Sequence, residues 1–177
     1  MERFSQRPAD VSIYSLEKLI SETRRIARDY KKATGKPLGG VSAEIAQFDA
    51  CFHLGLEPVP VGTEGGYDAV GHGKREGLKV QIKGRTIFDE GKSGQRIGQL
   101  KMEQTWDLVV LVLMDEHFEP YEMYEADREE IMAANEGSQS KRAKRGAMSV
   151  AKFKAIGRLA WTRERGEEDE VWDNQAG

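Results

Sequence analysis

Three residues carry most of the chemistry this sequence offers: Asp68, Gln81 and Lys83. The segment Leu78-Lys79-Val80-Gln81-Ile82-Lys83-Gly84-Arg85 alternates strictly. As a strand it sends Leu78, Val80 and Ile82 to one face, and Lys79, Gln81, Lys83 and Arg85 to the other. Gly66-Tyr67-Asp68-Ala69-Val70 precedes it, and the glycine-rich, charged stretch from Gly71 to Gly77 reads as a hairpin turn between the two. Closing the hairpin sets Asp68 beside Gln81 and Lys83. A carboxylate, an amide oxygen and an ammonium on one surface suit the cleavage of a phosphate ester. Asp68, the Gln81 oxygen and the Ile82 carbonyl are hard donors of the kind Mg²⁺ takes. A bound dication lowers the pKa of its water, and Lys83 is placed to orient that water or to stabilise charge in the transition state. Arg85, next along the face, is placed to touch a backbone phosphate. The plainer reading is a wet sheet face, with Asp68 and Lys83 a surface ion pair of little worth.

The elements that must position these residues can be read in order. Residues 1–14 show no period and read as an arm. Leu16, Leu19, Ile20, Ile26 and Tyr30 then fall near one side of a helix that ends around Thr34-Gly35-Lys36-Pro37, and its expected role is packing or dimer contact. Ser42 is expected to cap a second helix running to about Leu54, with Val41, Ile45, Phe48 and Phe52 as its buried stripe. Glu44 lies in its first turn. Either it only complements the helix dipole, or it leans over the sheet toward Asp68.

Leu56 to Val61 reads as an edge strand because of its prolines. Residues 89–105 are polar and glycine-rich, as an exposed loop is. Asp107 to Met114 is the most apolar run and is expected to be a central strand covered on both faces. Pro120 to Glu125 reads as its neighbour, and Asp127 with Glu130 as a capping pair for a helix through about Asn135. A linker holding Lys141, Arg142, Lys144 and Arg145 follows. Met148 to Ile156 reads as a short helix stopped by Gly157, and the acidic stretch after Trp161 as a tail.

This order, a helix with Glu44, a strand with Asp68, a strand with Gln81-Ile82-Lys83, then an apolar strand and a helix, resembles the PD-(D/E)xK, or restriction-endonuclease-like, nuclease superfamily. The resemblance covers roughly residues 40–135. It implies an α/β fold with a central mixed β-sheet flanked by helices, here with an extra N-terminal helix. Asp68 matches the family's strand acid, Lys83 the motif lysine and Glu44 the helix acid that some branches use. Gln81 stands where the motif usually has an acid, a variant similar to that of modification-dependent restriction nucleases. The resemblance implies Mg²⁺, with Mn²⁺ as a substitute, held by Glu44, Asp68, Gln81 and Ile82. It also implies a nucleic-acid partner, DNA first and RNA as an alternative, contacted by Arg85, Lys141, Arg142, Lys144 and Arg145.

Composition bounds these readings. At 177 residues, with 38% hydrophobic and 32% charged residues, the chain suits one domain with a charged surface. The expected division is an arm and helix over 1–37, a core over 38–162 and a tail over 163–177. A net charge of −3 means that any nucleic-acid surface must be a local patch. Cys51 is the single cysteine, which excludes an intramolecular disulfide. His53, His72 and His117 lack metal-ligand spacing, and the glycines of 91–98 lack the Gly-Lys-Ser/Thr ending of a phosphate loop. Without a signal peptide or membrane-length apolar run, a cytoplasmic protein is expected. The rival to a nuclease, motivated by Gln81, is an inactive relative that binds nucleic acid or serves as a scaffold. Cutting two strands with one site per chain makes a homodimer the expected assembly.

Overall fold

Leu108–Met114 is buried at every position, and a seven-stranded sheet is laid out to either side of it. The computed structural model describes residues 13–60, 62–89, 91, 94–136, 141 and 146–168. The strands are β1 (Leu56–Pro58), β2 (Ala69–Gly71), β3 (Lys79–Thr86), β4 (Leu108–Met114), β5 (Pro120–Asp127), β6 (Arg158–Thr162) and β7 (Gly166–Glu167), and they lie side by side in chain order. β3 and β4 run parallel; every other neighbouring pair is antiparallel. The protein is therefore α/β with a mixed sheet. The unbroken apolar run of β4 is explained by its cover on both faces.

One face carries α1 (Ile13–Thr34) and α2 (Val41–Leu54), over a core that includes Ile45, Ala46, Ala50, Val80, Val110 and Val112. The other is closed by the crossover from β3 to β4 and by α3 (Arg128–Asn135) and α4 (Val150–Ile156), around Ile97, Leu100, Trp106, Val109, Leu111 and Phe153. Asp127 and Glu130 form the expected reciprocal cap of α3, and the Ser149 side chain accepts from the Lys152 N–H to start α4. Among the described residues no helix is long and apolar enough to cross a membrane.

Four expectations need correction. The stretch 89–105 is not simply an exposed loop, because its apolar Ile97 and Leu100 are buried in the core of the second face. Ser42 does not cap α2: the helix starts from Gly40 in a left-handed conformation, and the Ser42 hydroxyl instead lies 3.4 Å from that of Thr86. The buried stripe of α2 is Ile45, Ala46, Asp49, Ala50 and Leu54, whereas Phe48 is half-buried and Phe52 exposed. The physical reason is close approach. A Cβ on Gly84 would stand 2.5 Å from that of Ala46, so α2 lies against β3 through its small residues and the two phenylalanines stack together at its flank. Finally, the acidic stretch after Trp161 does not begin as a tail, because Gly166–Glu167 pairs with β6 and Glu167 holds Arg75. Residues 169–177 lie outside the described residues, as do residues 1–12 of the expected arm.

Candidate functional site

The hairpin pairing of β2 with β3 is short, and the point where it stops is where the chemistry collects. Ala69 faces Val80 and Val70 faces Lys79; the Asp68 N–H still donates to the Val80 carbonyl at 2.8 Å. There the ladder gives way to a side chain, as Asp68 Oδ2 accepts from the Ile82 N–H at 2.8 Å. A residue's N–H and C=O leave a strand on the same edge, so the Ile82 carbonyl opens on this gap too. Gln47, on α2, reaches the Asp68 carbonyl with its amide at 3.4 Å.

Gln81, Lys83 and Arg85 lie on the opposite face from α2, beneath the β3–β4 crossover. Gln81 is almost wholly buried, and its Oε1 accepts from the Lys101 N–H at 3.4 Å. Because that main-chain group can only donate, it must meet the amide oxygen. Nε2 therefore points away, buried and without a partner among the described residues. The crossover is itself well held. Lys101 accepts from Trp106 Nε1 at 2.8 Å, and Arg128 lies over the Trp106 ring while donating to the carbonyls of Met102, Gln104 and Trp106. Gly66 lies directly under it, where a Cβ would be 2.4 Å from Gln104 Cβ and 3.2 Å from Lys101 Cδ. At φ +74 the position favours glycine on backbone grounds as well.

Lys83 is half-buried, and its pKa is lowered. Burial is the main cause; the charges of Lys101 and Arg85 add to it, and the Asp68 carboxylate opposes them. Asp68 and Lys83 thus lie within electrostatic reach without forming an ion pair. Among the described residues, Lys83 feels two cations and one carboxylate. Arg85 is partly engaged, donating to the carbonyls of Arg96 and Gly84. On the other side of the gap, the Cys51 thiol is pushed up to about 12 by burial and by the Asp68 charge, so it stays protonated.

Among the expected site residues, Asp68, Gln81, Ile82, Lys83 and Arg85 thus come together around the end of the β2–β3 pairing. Glu44 is exposed on α2, on the wall of an apolar groove that it shares with Gln47 and Cys51. Lys141 is exposed, and Arg142, Lys144 and Arg145 lie outside the described residues. Lys101 was not legible as a site residue: it sits in a polar loop and is brought to Lys83 only by the crossover. Among the described residues no three or more His, Cys, Asp or Glu side chains gather as a metal-holding group. Comparison of the sequence with protein-family models and with curated proteins gives no match. What the fold and site define is an α/β protein with a cluster of cations and one carboxylate where the β2–β3 pairing ends.

Proposed function

We propose that the protein is a metal-dependent nuclease of restriction-endonuclease-like architecture that hydrolyses phosphodiester bonds, in DNA before RNA. The observation that carries this reading is the half-buried ammonium of Lys83, set among Lys101 and Arg85 with Asp68 as the one nearby carboxylate among the described residues. Burying an ammonium without a matched counter-ion is costly, and a phosphate would supply the missing negative charge. The mixed sheet flanked by helices supports the reading as well, being the fold class the resemblance implies.

The oxygen donors at the gap fit Mg²⁺ with few protein ligands, which is the ordinary condition for this ion at a phosphate site. Asp68 and the Ile82 carbonyl would hold it; Glu44, exposed on the groove wall of α2, is not among the groups gathered at the gap. The Gln81 oxygen does not fit, being turned to the Lys101 N–H. A bound dication would supply a more acidic water and neutralise phosphate charge. The remaining work falls to the chain. Lys83 stabilises negative charge developing on the phosphate. Lys101 and Arg85 orient the strand through its backbone. The covered crossover face keeps bulk water from the rear of Lys83, which strengthens these interactions.

The acid-poor donor set favours a second reading, a nucleic-acid-binding module without catalysis. Incubating plasmid and modified DNA, and in parallel RNA, with Mg²⁺ or Mn²⁺ separates the two. The nuclease reading expects cleavage by the native protein and a loss of about 100-fold or more in Lys83→Ala and Asp68→Asn. Undiminished cleavage in Lys83→Ala overturns the role of Lys83. Retention of nucleic acid by the native protein with no cleavage under either metal selects the binding module.

A further inference from the structure

Most glycines of this chain are explained by their backbone or by a close neighbour; Gly98 is explained by neither. Its φ lies outside the left-handed region. A Cβ there would meet only Arg85 Nη2 at 3.7 Å and Lys83 Cδ at 4.0 Å, which is ordinary contact. Gly84 and Gly66 differ, since a Cβ on either would stand within 2.5 Å of a neighbouring side-chain carbon. Glycine loses more conformational freedom on folding than any other residue, so one that neither φ nor contact demands calls for another reason. Gly98 is also held in place. The Ile97 N–H donates to the Met148 carbonyl at 3.0 Å and the Val150 N–H to the Gln95 carbonyl at 2.8 Å, while Ile97 and Leu100 are buried on either side. What the missing side chain leaves is room in front of two cations.

Those cations are short of partners. Arg85 donates through Nε to the Arg96 carbonyl and through Nη1 to that of Gly84 at 3.0 Å, which leaves Nη2 without a hydrogen bond among the described residues. Lys83 Nζ has neither a hydrogen bond nor an ion pair among them, and both side chains are half-buried. Two apart on β3, they rise from one face of the strand, about 6.6 Å from each other along it. We propose that Gly98 roofs an oxyanion seat, in which a tetrahedral phosphate group bridges Arg85 Nη2 and Lys83 Nζ. The two donors complement each other: the planar guanidinium fixes the direction of its N–H groups, and the ammonium brings charge on a flexible stem. The Asp68 carboxylate is held by the Ile82 N–H and forms an ion pair with neither cation. A side chain reaching beyond Cβ at position 98 would compete with the anion for this room, and a carboxylate would take its place. Gly98 thus decides what reaches the two cations. The inference rests on the part of the proposed function in which a phosphate answers Lys83, and it adds the seat's second donor and its gatekeeper; it does not require cleavage. The seat suits a phosphate of a nucleic-acid strand and a free phosphate alike.

Thermal melting of the full chain in inorganic phosphate, against chloride at equal ionic strength, tests the seat, because a ligand of the folded state raises the melting temperature with its concentration. The native protein is expected to show a saturating rise. Phosphate affinity falls by less than about three-fold in Gly98→Ala and by more than about ten-fold in Gly98→Asp, which also melts above the native protein when phosphate is absent. Lys83→Met loses the response as well, and it carries the test if circular dichroism shows Gly98→Asp unfolded. The seat is overturned by a native protein without a phosphate response, by an undiminished response in Gly98→Asp or Lys83→Met, or by equal losses in Gly98→Ala and Gly98→Asp. Fluorescence anisotropy of a labelled single-stranded oligonucleotide then names the source. Displacement of the strand by phosphate assigns the seat to a strand phosphate, and a phosphate response without strand binding assigns it to a free phosphate. Cleavage assays keep the two readings apart. Phosphate binding without cleavage retains the seat and removes the nuclease, whereas cleavage undiminished in Gly98→Asp retains the nuclease and removes the seat.

Discussion

Two sets of charged groups at opposite ends of the sheet are withdrawn from water to different degrees and composed in opposite ways. Under the β5–β6 end of the sheet, Arg75 is 3% exposed and Glu125 5% exposed. Arg75 Nε donates to Glu125 at 2.7 Å and Nη1 to Glu167 at 2.6 Å; Arg158 donates to the other Glu125 oxygen at 2.9 Å, and Lys74 stands 3.0 Å from Glu167. Each carboxylate there holds two cations through directed hydrogen bonds. At the β2–β3 gap, by contrast, the Asp68 carboxylate is bound to a main-chain N–H, and Lys83 feels it and two further cations without an ion pair. The first arrangement is balanced in charge, although Arg75 Nη2 is buried without a partner among the described residues, and it ties the 3₁₀ turn after β2 to the sheet's last strands. The second is short of negative charge and leaves a buried amide nitrogen unpartnered. Both sets hold an unpartnered nitrogen, so the shortage of counter-charge around Lys83 is what points to a ligand.

The comparison breaks or sharpens under substitution. The largest effect is expected of Arg75→Ala. It leaves Glu125 buried with Arg158 alone and Glu167 with Lys74, and it costs about 3 kcal/mol of folding free energy, read by urea denaturation. A loss below about 1 kcal/mol would mean that the network is not a structural tie.

Lys83→Met is expected to act in the other direction, stabilising the protein by about 1 kcal/mol or less at neutral pH. The sign follows from the lowered pKa of Lys83. Between its folded pKa and the ordinary lysine value the unfolded chain holds the proton more tightly, so the charge opposes folding fully at neutral pH, and the opposition fades as pH rises through that window and is gone above the ordinary value. The gain from Lys83→Met should therefore shrink in urea melts carried toward alkaline pH. A destabilised variant at pH 7 would place Lys83 among the structural ion pairs instead.

The smallest effect is expected of Gln81→Leu, within about 1 kcal/mol of the native stability. That change removes a long hydrogen bond to Lys101 and an unpartnered nitrogen together. A loss well beyond that would identify Gln81 as the support of the crossover.

Where local pattern and tertiary position agree, the sequence was a reliable guide. The alternation of β3, the apolar run of β4 and the Asp127–Glu130 cap each follow from the period of one element and its own ends. Asp49 shows the other case. It occupies a stripe position of α2, one turn after Ile45, yet its partner Arg24 comes from a different helix. Burial raises the Asp49 pKa, and Arg24 works against that rise. Nothing in the spacing of α2 announces that pairing. Phe48 and Phe52 had the right period for a core stripe and lost it to two alanines, because the limit was the gap to Gly84 and not hydrophobicity.

By itself the sequence determined the α/β order, the strand faces and the placing of Asp68 opposite the Gln81–Lys83 stretch, since each depends on backbone periodicity or a nearby turn. Only the tertiary structure decided which polar groups on those faces lack partners. That depends on Lys101 arriving from a crossover, on Glu44 standing over a groove, and on Glu167 returning to Arg75 from the far end of the chain. Charge balance in a buried site is a sum over elements that meet in space, and no single stretch of the chain carries it.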